Sequence, residues 1–453
     1  MQRHEIQVRT ARSDNKKLNP ISADAAVLRL DLRGPSEDLR FGLHQMIREL
    51  ADRSLQPTSL AIDLLVLAIA VQVADTRIAR HQHAQDSWTR EIDLNVPVSE
   101  PKVWNELGPH VERMLRFLSG DIWSLRFRKH ADKDLTFSTK KRQASKAFDS
   151  VCLFSGGMDS YLGAIDLLSS GKSPLLVSHY WDLGTSSQAT CAGHLSQAFG
   201  DITPRHIRVR IGADKSDFPL GEQEDPDNTQ RARSFIFFAM AAVAASALSK
   251  PVTITVPENG FVSLNVPLDT HRLGAYSTRT THPFYMAGWN HLLAALDLKA
   301  TVKNPYQCMT KGEMILATPQ KDLVAKTVAD TISCSSVSKA RWSGHSPGHC
   351  GHCFPCLIRR AAENRGLGKE VTTYQQLPDL NRAVEKEKAI GEHLWSFRVM
   401  AERISRRPHD VVALVNKTGP LLGYSRQNRH DFADVFRRGI AEVAEATKGV
   451  SFV

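Results

Sequence analysis

The stretch Val151-Cys-Leu-Phe-Ser-Gly-Gly-Met-Asp-Ser160, running on through residues 161–168, constrains the fold more than any other part of this chain. Its first four residues are apolar and read as a short buried strand, and the segment after Ser160 reads as a helix with an apolar face. The two glycines between them, Gly156 and Gly157, permit a sharp turn whose backbone N–H groups point inward. Such a nest at a helix N-terminus binds anions, because the helix dipole adds to the converging donors. Ser155 and Ser160 supply hydroxyls at either end. Asp159 would repel a bare pyrophosphate, so it indicates either a bridging Mg²⁺ or a first-turn carboxylate favoured by the dipole. No lysine follows the last glycine, which rules out a Walker loop.

The string Ser-Gly-Gly-x-Asp-Ser is similar to the pyrophosphate loop of the N-type ATP pyrophosphatases. The resemblance implies cleavage of ATP to AMP and pyrophosphate, to adenylate a carboxylate or a base oxygen. It places Ser155, Gly156, Gly157, Asp159 and Ser160 on the pyrophosphate.

Beyond the loop, strands over 175–178, 206–211 and 252–256 alternate with helices over 187–199 and 231–249. Alternation at this spacing predicts an α/β fold with a doubly wound parallel sheet, its ligands bound beyond the carboxyl ends of the strands. Residues 1–150 read as an N-terminal α+β accessory region, with strands over 25–32 and 88–96 and helices from Thr58 and over 103–118. Residues 369–453 read as a C-terminal helical region, with helices over 380–404, 409–415 and 430–447.

The 58 Lys and Arg against 48 Asp and Glu give a net charge of +10, spread along the chain. The stretch 126–146 concentrates it, with Arg126, Arg128, Lys129, Lys133, Lys140, Lys141, Arg142 and Lys146. It reads as a solvated linker, with a nucleic-acid contact as the alternative. The longest apolar runs, 60–71 and 235–248, are shorter than a bilayer span and predict buried helices, with no membrane partner. The N-terminus lacks the apolar core of a secretory signal. Four of the seven cysteines cluster in a ligand-like pattern, which points to a reducing compartment, the cytoplasm by default.

That pattern is Cys334, Cys350, Cys353 and Cys356, spaced C-x15-C-x2-C-x2-C. Cys-x-x-Cys steps bring consecutive thiolates to one tetrahedral ion, and four thiolates close a structural Zn²⁺ site against water. An iron–sulfur cluster takes the same donors, and free thiols or a redox pair are the remaining readings. His349 and His352 suit hydrogen bonding around the metal better than ligation. Cys152, Cys191 and Cys308 read as lone thiols, Cys152 as core packing.

Together, the loop, Ser333-Cys334 and Cys350-Gly-His-Cys353-Phe-Pro-Cys356-Leu-Ile-Arg359 resemble the 7-cyano-7-deazaguanine synthase (QueC) family, over 151–368. Weaker matches lie between them. Arg231-Ala-Arg-Ser-Phe resembles the family's Arg-Asn-x-x-Phe and places Arg233 at its arginine. Val256-Pro-Glu-Asn259 resembles a strand ending in Asn, and Lys311-Gly-Glu313 a Lys-x-Glu step. The resemblance implies a PP-loop ATP pyrophosphatase domain over 151–300, completed by a zinc-knuckle region over 301–368. It further implies ATP, Mg²⁺ and Zn²⁺ as cofactors, and a deazaguanine-type carboxylate as co-substrate. Arg233 and Lys311 would stabilise charge on phosphate or carboxylate oxygens. Asn259 would either cap the next segment or touch substrate, and Arg359 would pack the knuckle.

The chain departs from the family at Tyr180-Trp-Asp-Leu, at Ser234 and across 258–283, which leaves the acceptor end of the pocket undefined. The additions at both ends resemble the QueC-like members of anti-phage defence systems, the QatC group among them. That likeness implies transfer to an amine, either ammonia or a partner protein of the same system. The alternatives are a PP-loop enzyme that modifies tRNA or another nucleic acid, and a nucleotide-binding scaffold.

Overall fold

The computed structural model describes residues 2–11, 13–34, 38–84, 86–130, 147–180, 186–213, 227, 229–269, 279–337, 348–380, 383–385 and 388–453. The N-terminal region runs β1 (His4–Arg9), β2 (Ala26–Asp31), α1 (Leu43–Ala51), α2 (Ser59–Arg77), α3 (Arg80–His83), β3 (Glu91–Val98), α4 (Pro101–Ser119) and β4 (Ile122–Lys129). Its strands pair in the order β2-β1-β3-β4, every pair parallel. The expected α+β region is therefore α/β. Parallel neighbours need long crossovers, and α4 provides the one from β3 to β4.

β1 and β4 are strands that the sequence reading passed over. β4 alternates buried Trp123 and Phe127 with Arg126 and Arg128, so the basic stretch begins as an edge strand rather than a linker. Two of its cations bond back to the N-terminal segment. Arg128 donates to the Val8 carbonyl at 2.7 Å and pairs with Asp14, and Arg126 donates to the Asn19 carbonyl at 3.1 Å. The remainder of that stretch, 131–146, lies outside the described residues.

The central region runs β5 (Ser150–Leu153), α5 (Met158–Ser169), β6 (Pro174–His179), α6 (Ser186–Phe199), β7 (His206–Val209), α7 (Arg233–Ser246), β8 (Val252–Thr255), α8 (Gly260–Ser263), α9 (Pro283–Ala295), β9 (Ala300–Lys303), α10 (Lys311–Ala317), α11 (Lys321–Thr327) and α12 (Phe354–Leu367). All five strands are parallel, in the order β7-β6-β5-β8-β9. The chain lays β6 and β7 on one side of β5, then crosses back to place β8 and β9 on the other. The glycine loop thus follows the strand at which the winding reverses, where open α/β sheets form their crevice.

The C-terminal region is mainly helical, with α13 (Ala389–Arg406), α14 (Asp410–Asn416) and α15 (Arg426–Ala446), and it adds a short parallel pair, β10 (Ala383–Val384) with β11 (Ser451–Phe452). The helix expected from residue 380 begins only at Ala389.

One apolar core joins the two sheets. It runs from Ile6 and Val8 through α2, α4, α7 and α9 to Val151 and Leu175. α2 packs against α7, α4 against α9, and α7 covers β5, β6 and β8, while α5 lies against β5 and β6. α2 has 19 residues and is long and apolar enough to cross a membrane, longer than its apolar run suggested. Its residues from Ala61 to Thr76 are nevertheless all buried within the protein, as expected of a helix apolar on every side.

A buried ionic network pins this junction. Arg90 pairs with Asp75 at 2.8 Å and Asp121 at 2.7 Å, and Arg80 with Asp121 at 2.6 Å and Asp227 at 3.1 Å. Asp75 also accepts the Ala232 N–H at 2.8 Å, which ties the end of α2 to the start of α7. Arg90→Ala takes a buried cation from Asp75 and Asp121, leaving Arg80 as their shared ionic partner, and should lower stability by about 3 kcal/mol in urea unfolding. A loss below about 1 kcal/mol would show that the network is dispensable.

Candidate functional site

The loop after β5 is built as its residue types require. Gly156 has φ +80°, and a Cβ there would lie 2.5 Å from Ser187 Oγ and 2.8 Å from the Gln188 nitrogen, so glycine is required twice over. Gly157 caps α5. Ser160 is a strut inside the turn. Its hydroxyl accepts the Ser155 N–H at 3.2 Å, donates to the Gly157 carbonyl at 3.0 Å and meets Ser155 Oγ at 3.1 Å. Ser155 is exposed and lines a cavity of about 370 Å³ over the carboxyl ends of β5 and β6.

That cavity has two kinds of wall. Phe154, Val177, Phe237 and Met240 form an apolar side, and Ser155, Gln188, Arg233, Ser333 and Cys334 a polar one. Arg233 opens α7 as its first residue, half-buried, with its guanidinium 5.2 Å from the Phe237 ring centre. His179, at the end of β6, donates its Nε2–H to the Ile211 carbonyl at 2.8 Å. Burial, with Arg233 nearby, pulls its pKa down to about 4, so it is neutral near pH 7.

Asp159 and Lys311, far apart in sequence, meet behind the loop. Lys311 is the first residue of α10 and buried, and its Nζ lies 2.9 Å from Asp159 Oδ1. A capping box between Thr310 and Glu313 sets that helix start. Asp159 Oδ2 accepts from Asn259 Nδ2 at 2.7 Å and from its N–H at 3.1 Å. Asn259 also caps α8 through the Val262 N–H at 3.0 Å, so it both caps and holds the carboxylate.

Sequence reasoning missed Glu258, Thr281 and Asn304 beside this pair. Glu258 accepts from Thr281 Oγ1, and its carbonyl accepts from Asn304 Nδ2 at 2.7 Å. Burial raises the Glu258 pKa to about 7, with the Asp159 charge adding to the effect. The available signal was position: Glu258 follows β8 and Asn304 follows β9, at the carboxyl ends of parallel strands.

The four cysteines gather beside the same cavity. The Sγ atoms of Cys334, Cys350, Cys353 and Cys356 lie within 4.8 Å of one another, with Cys334–Cys353 at 3.8 Å and Cys350–Cys356 at 3.9 Å. A tetrahedral ion with metal–sulfur bonds of about 2.3 Å sets sulfurs ~3.8 Å apart, so the donor set fits a single metal such as zinc. Backbone N–H groups of Cys353 and Ser336 donate to Cys350 Sγ and Cys334 Sγ, both at 3.3 Å. His352 bonds Gln376 at 2.8 Å, and His349 Nε2 accepts the Ser333 N–H at 3.4 Å. Neither histidine joins the sulfur group. Cys152 and Cys191 are buried thiols whose pKa burial pushes up to about 12.

Arg359, fully buried on α12, couples the cluster to the loop. It donates to the Thr331 carbonyl at 3.0 Å, Thr331 Oγ1 at 2.7 Å and Ser333 Oγ at 3.0 Å. The next links are Ile332 N–H to the Gly156 carbonyl at 3.0 Å and Met158 N–H to Ser333 Oγ at 3.5 Å. Arg359 therefore packs the knuckle, as its position after the last cysteine suggests.

No protein-family model, curated protein or solved structure matches the chain.

Metal analysis of the purified chain should return one tetrathiolate-bound ion, and Cys350→Ser should release it and lower the melting temperature. Retention of a full equivalent in that variant would place the metal elsewhere. Glu258 gives a pH signature. Its carboxyl keeps its proton to about pH 7 when folded but sheds it near 4.5 when unfolded. The folded state binds more protons between those values, so stability falls as pH rises through them. Relative to Glu258→Gln, the native chain should lose about 3 kcal/mol across that window in denaturant titrations, and parallel curves would refute the shift.

Proposed function

We propose that this chain is a QueC-like, ATP-dependent C–N ligase with a PP-loop fold, belonging to an anti-phage defence system. It adenylates a carboxylate of the 7-carboxy-7-deazaguanine type and passes the acyl group to an amine, either ammonia or an amine of a partner protein. The observation that carries this reading is the glycine loop at the switch point of a parallel sheet, opening with Arg233 onto one half-apolar cavity.

A carboxylate is a poor electrophile, and adenylation makes it a good one. A carboxylate oxygen attacks the α-phosphorus of MgATP, the bond from that phosphorus to the bridging oxygen breaks, and pyrophosphate leaves. The amine then attacks the acyl carbon, AMP departs with the bonding pair, and the nitrogen gives up a proton to solvent to leave the amide. The protein's part is to hold the pyrophosphate, align the carboxylate and keep water off the mixed anhydride.

Ser155 and the loop amides suit the pyrophosphate, and Arg233 the charge that develops on phosphate or carboxylate oxygens. The apolar wall of Val177, Phe237 and Met240 suits a flat base. The Lys311–Asp159 pair sets the loop's electrostatics from behind, and Mg²⁺ would enter with ATP. Zinc is the reading for the cysteine cluster, since thiolates on an iron–sulfur cluster bind separate irons and stand farther apart. Bound there, zinc would cross-link the segment bearing Ser333. Reduced thiols throughout fit a cytoplasmic setting.

The test is incubation of the chain with labelled ATP, the deazaguanine carboxylate and candidate amines. Carboxylate-dependent release of AMP and pyrophosphate is expected, and Ser155→Ala or Asp159→Asn should lower it about 100-fold or more. AMP release that ignores the carboxylate but requires tRNA would favour the nucleic-acid-modifying alternative. ATP binding with no AMP release under any condition would leave a scaffold.

A further inference from the structure

The N-terminal sheet has a switch point of its own. β1 carries β2 on one side and β3 on the other, and a second cavity, of about 440 Å³, opens at the carboxyl ends of β1 and β2. Among the described residues, Arg9, Arg29, Arg33 and Arg40 line it, with Asn15 and one carboxylate, Asp31. Arg9 ends β1 and Asp31 ends β2, so the parallel strands deliver these side chains to one rim.

The arginines are held in place. Arg9, buried, pairs with Asp14 at 2.9 Å, and Asp14 is shared with Arg128. Arg33 Nε donates to the Thr10 carbonyl at 3.1 Å, Arg29 pairs with Asp31 at 2.7 Å, and Arg40 lies 4.9 Å over the Phe41 ring. Asp38 adds a carboxylate near Gly34. Among the described residues, four arginines (Arg9, Arg29, Arg33, Arg40) and one carboxylate (Asp31) thus line this concave site, with Asp14, Asp38 and Arg128 beside it. Guanidinium groups gathered this way repel one another, and an anion with several oxygens relieves that repulsion while accepting forked hydrogen bonds. Among the described residues the lining has no aromatic ring, so it offers no stacking platform for a base.

We propose that this cavity binds phosphate groups, recognising charge and oxygen geometry without reading a base. The source of the phosphate is either the backbone of a single-stranded nucleic acid or a free oligophosphate. The site stands on the N-terminal sheet and does not depend on the ligase reading.

The test uses the full chain and the double variant Arg33→Glu/Arg40→Glu, with Arg33→Lys/Arg40→Lys as a charge-preserving control. Binding of a short fluorescein-labelled single-stranded RNA is followed by anisotropy at about 50 and 200 mM salt. Binding of inorganic triphosphate is followed by calorimetry. The native chain and the Lys variant should bind at least one probe, and the Glu variant at least about 10-fold more weakly, with an unchanged melting temperature. A loss for RNA alone, with a reduced salt slope, identifies the nucleic-acid backbone as the source, and a loss for triphosphate identifies the free oligophosphate. Equal binding by native chain and Glu variant, or no binding of either probe, overturns the proposal.

Discussion

The buried guanidinium of Arg359 is the constraint on which the site depends. It holds Thr331 and Ser333 from one side, while the Gly156 carbonyl takes the Ile332 N–H from the other. The next residue, Cys334, belongs to the sulfur cluster. Loop, connecting segment and cluster are therefore one mechanical unit. A metal bound by the four thiolates would act on the loop through only a few residues, by limiting how far the segment can move.

Behind the loop the electrostatics are arranged in pairs. Asp159 is tied on one oxygen to Lys311 and on the other to Asn259, so its position is set before any ligand arrives. Glu258 lies close enough to feel that charge and is held largely protonated by burial at mildly acidic pH. The pairing gives Lys311, which the family resemblance marks as a candidate for charge stabilisation, a buried carboxylate partner.

The N-terminal region takes part in the site from a distance. The ionic network around Arg90 and Asp75 reaches the Ala232 N–H, immediately before Arg233. Two parallel sheets thus stand back to back across α2 and α7, and the first helps set the helix that presents Arg233. The apolar faces of α2 and α7 explain the arrangement, since each is apolar all round and needs cover on every side.

The local pattern was legible where chemistry and periodicity coincide. The Gly156-Gly157 turn, the strand before it, the alternation to Thr255 and the cysteine spacing are short-range properties, and a linear sequence records them directly. β4 was misread because the arginines on one face of an edge strand look like a basic linker when the alternating Trp123 and Phe127 are overlooked. The parallel pairing of β1 to β4, the meeting of Asp159 with Lys311, and the raised pKa of Glu258 belong to the tertiary structure alone. Each depends on segments tens to hundreds of residues apart being brought together by burial of apolar surface, which has no direction along the chain. The sequence by itself determined the glycine turn and the sulfur donors. Only the packed fold decided which charges face them, because electrostatic partners are selected by distance in space and by exclusion of water.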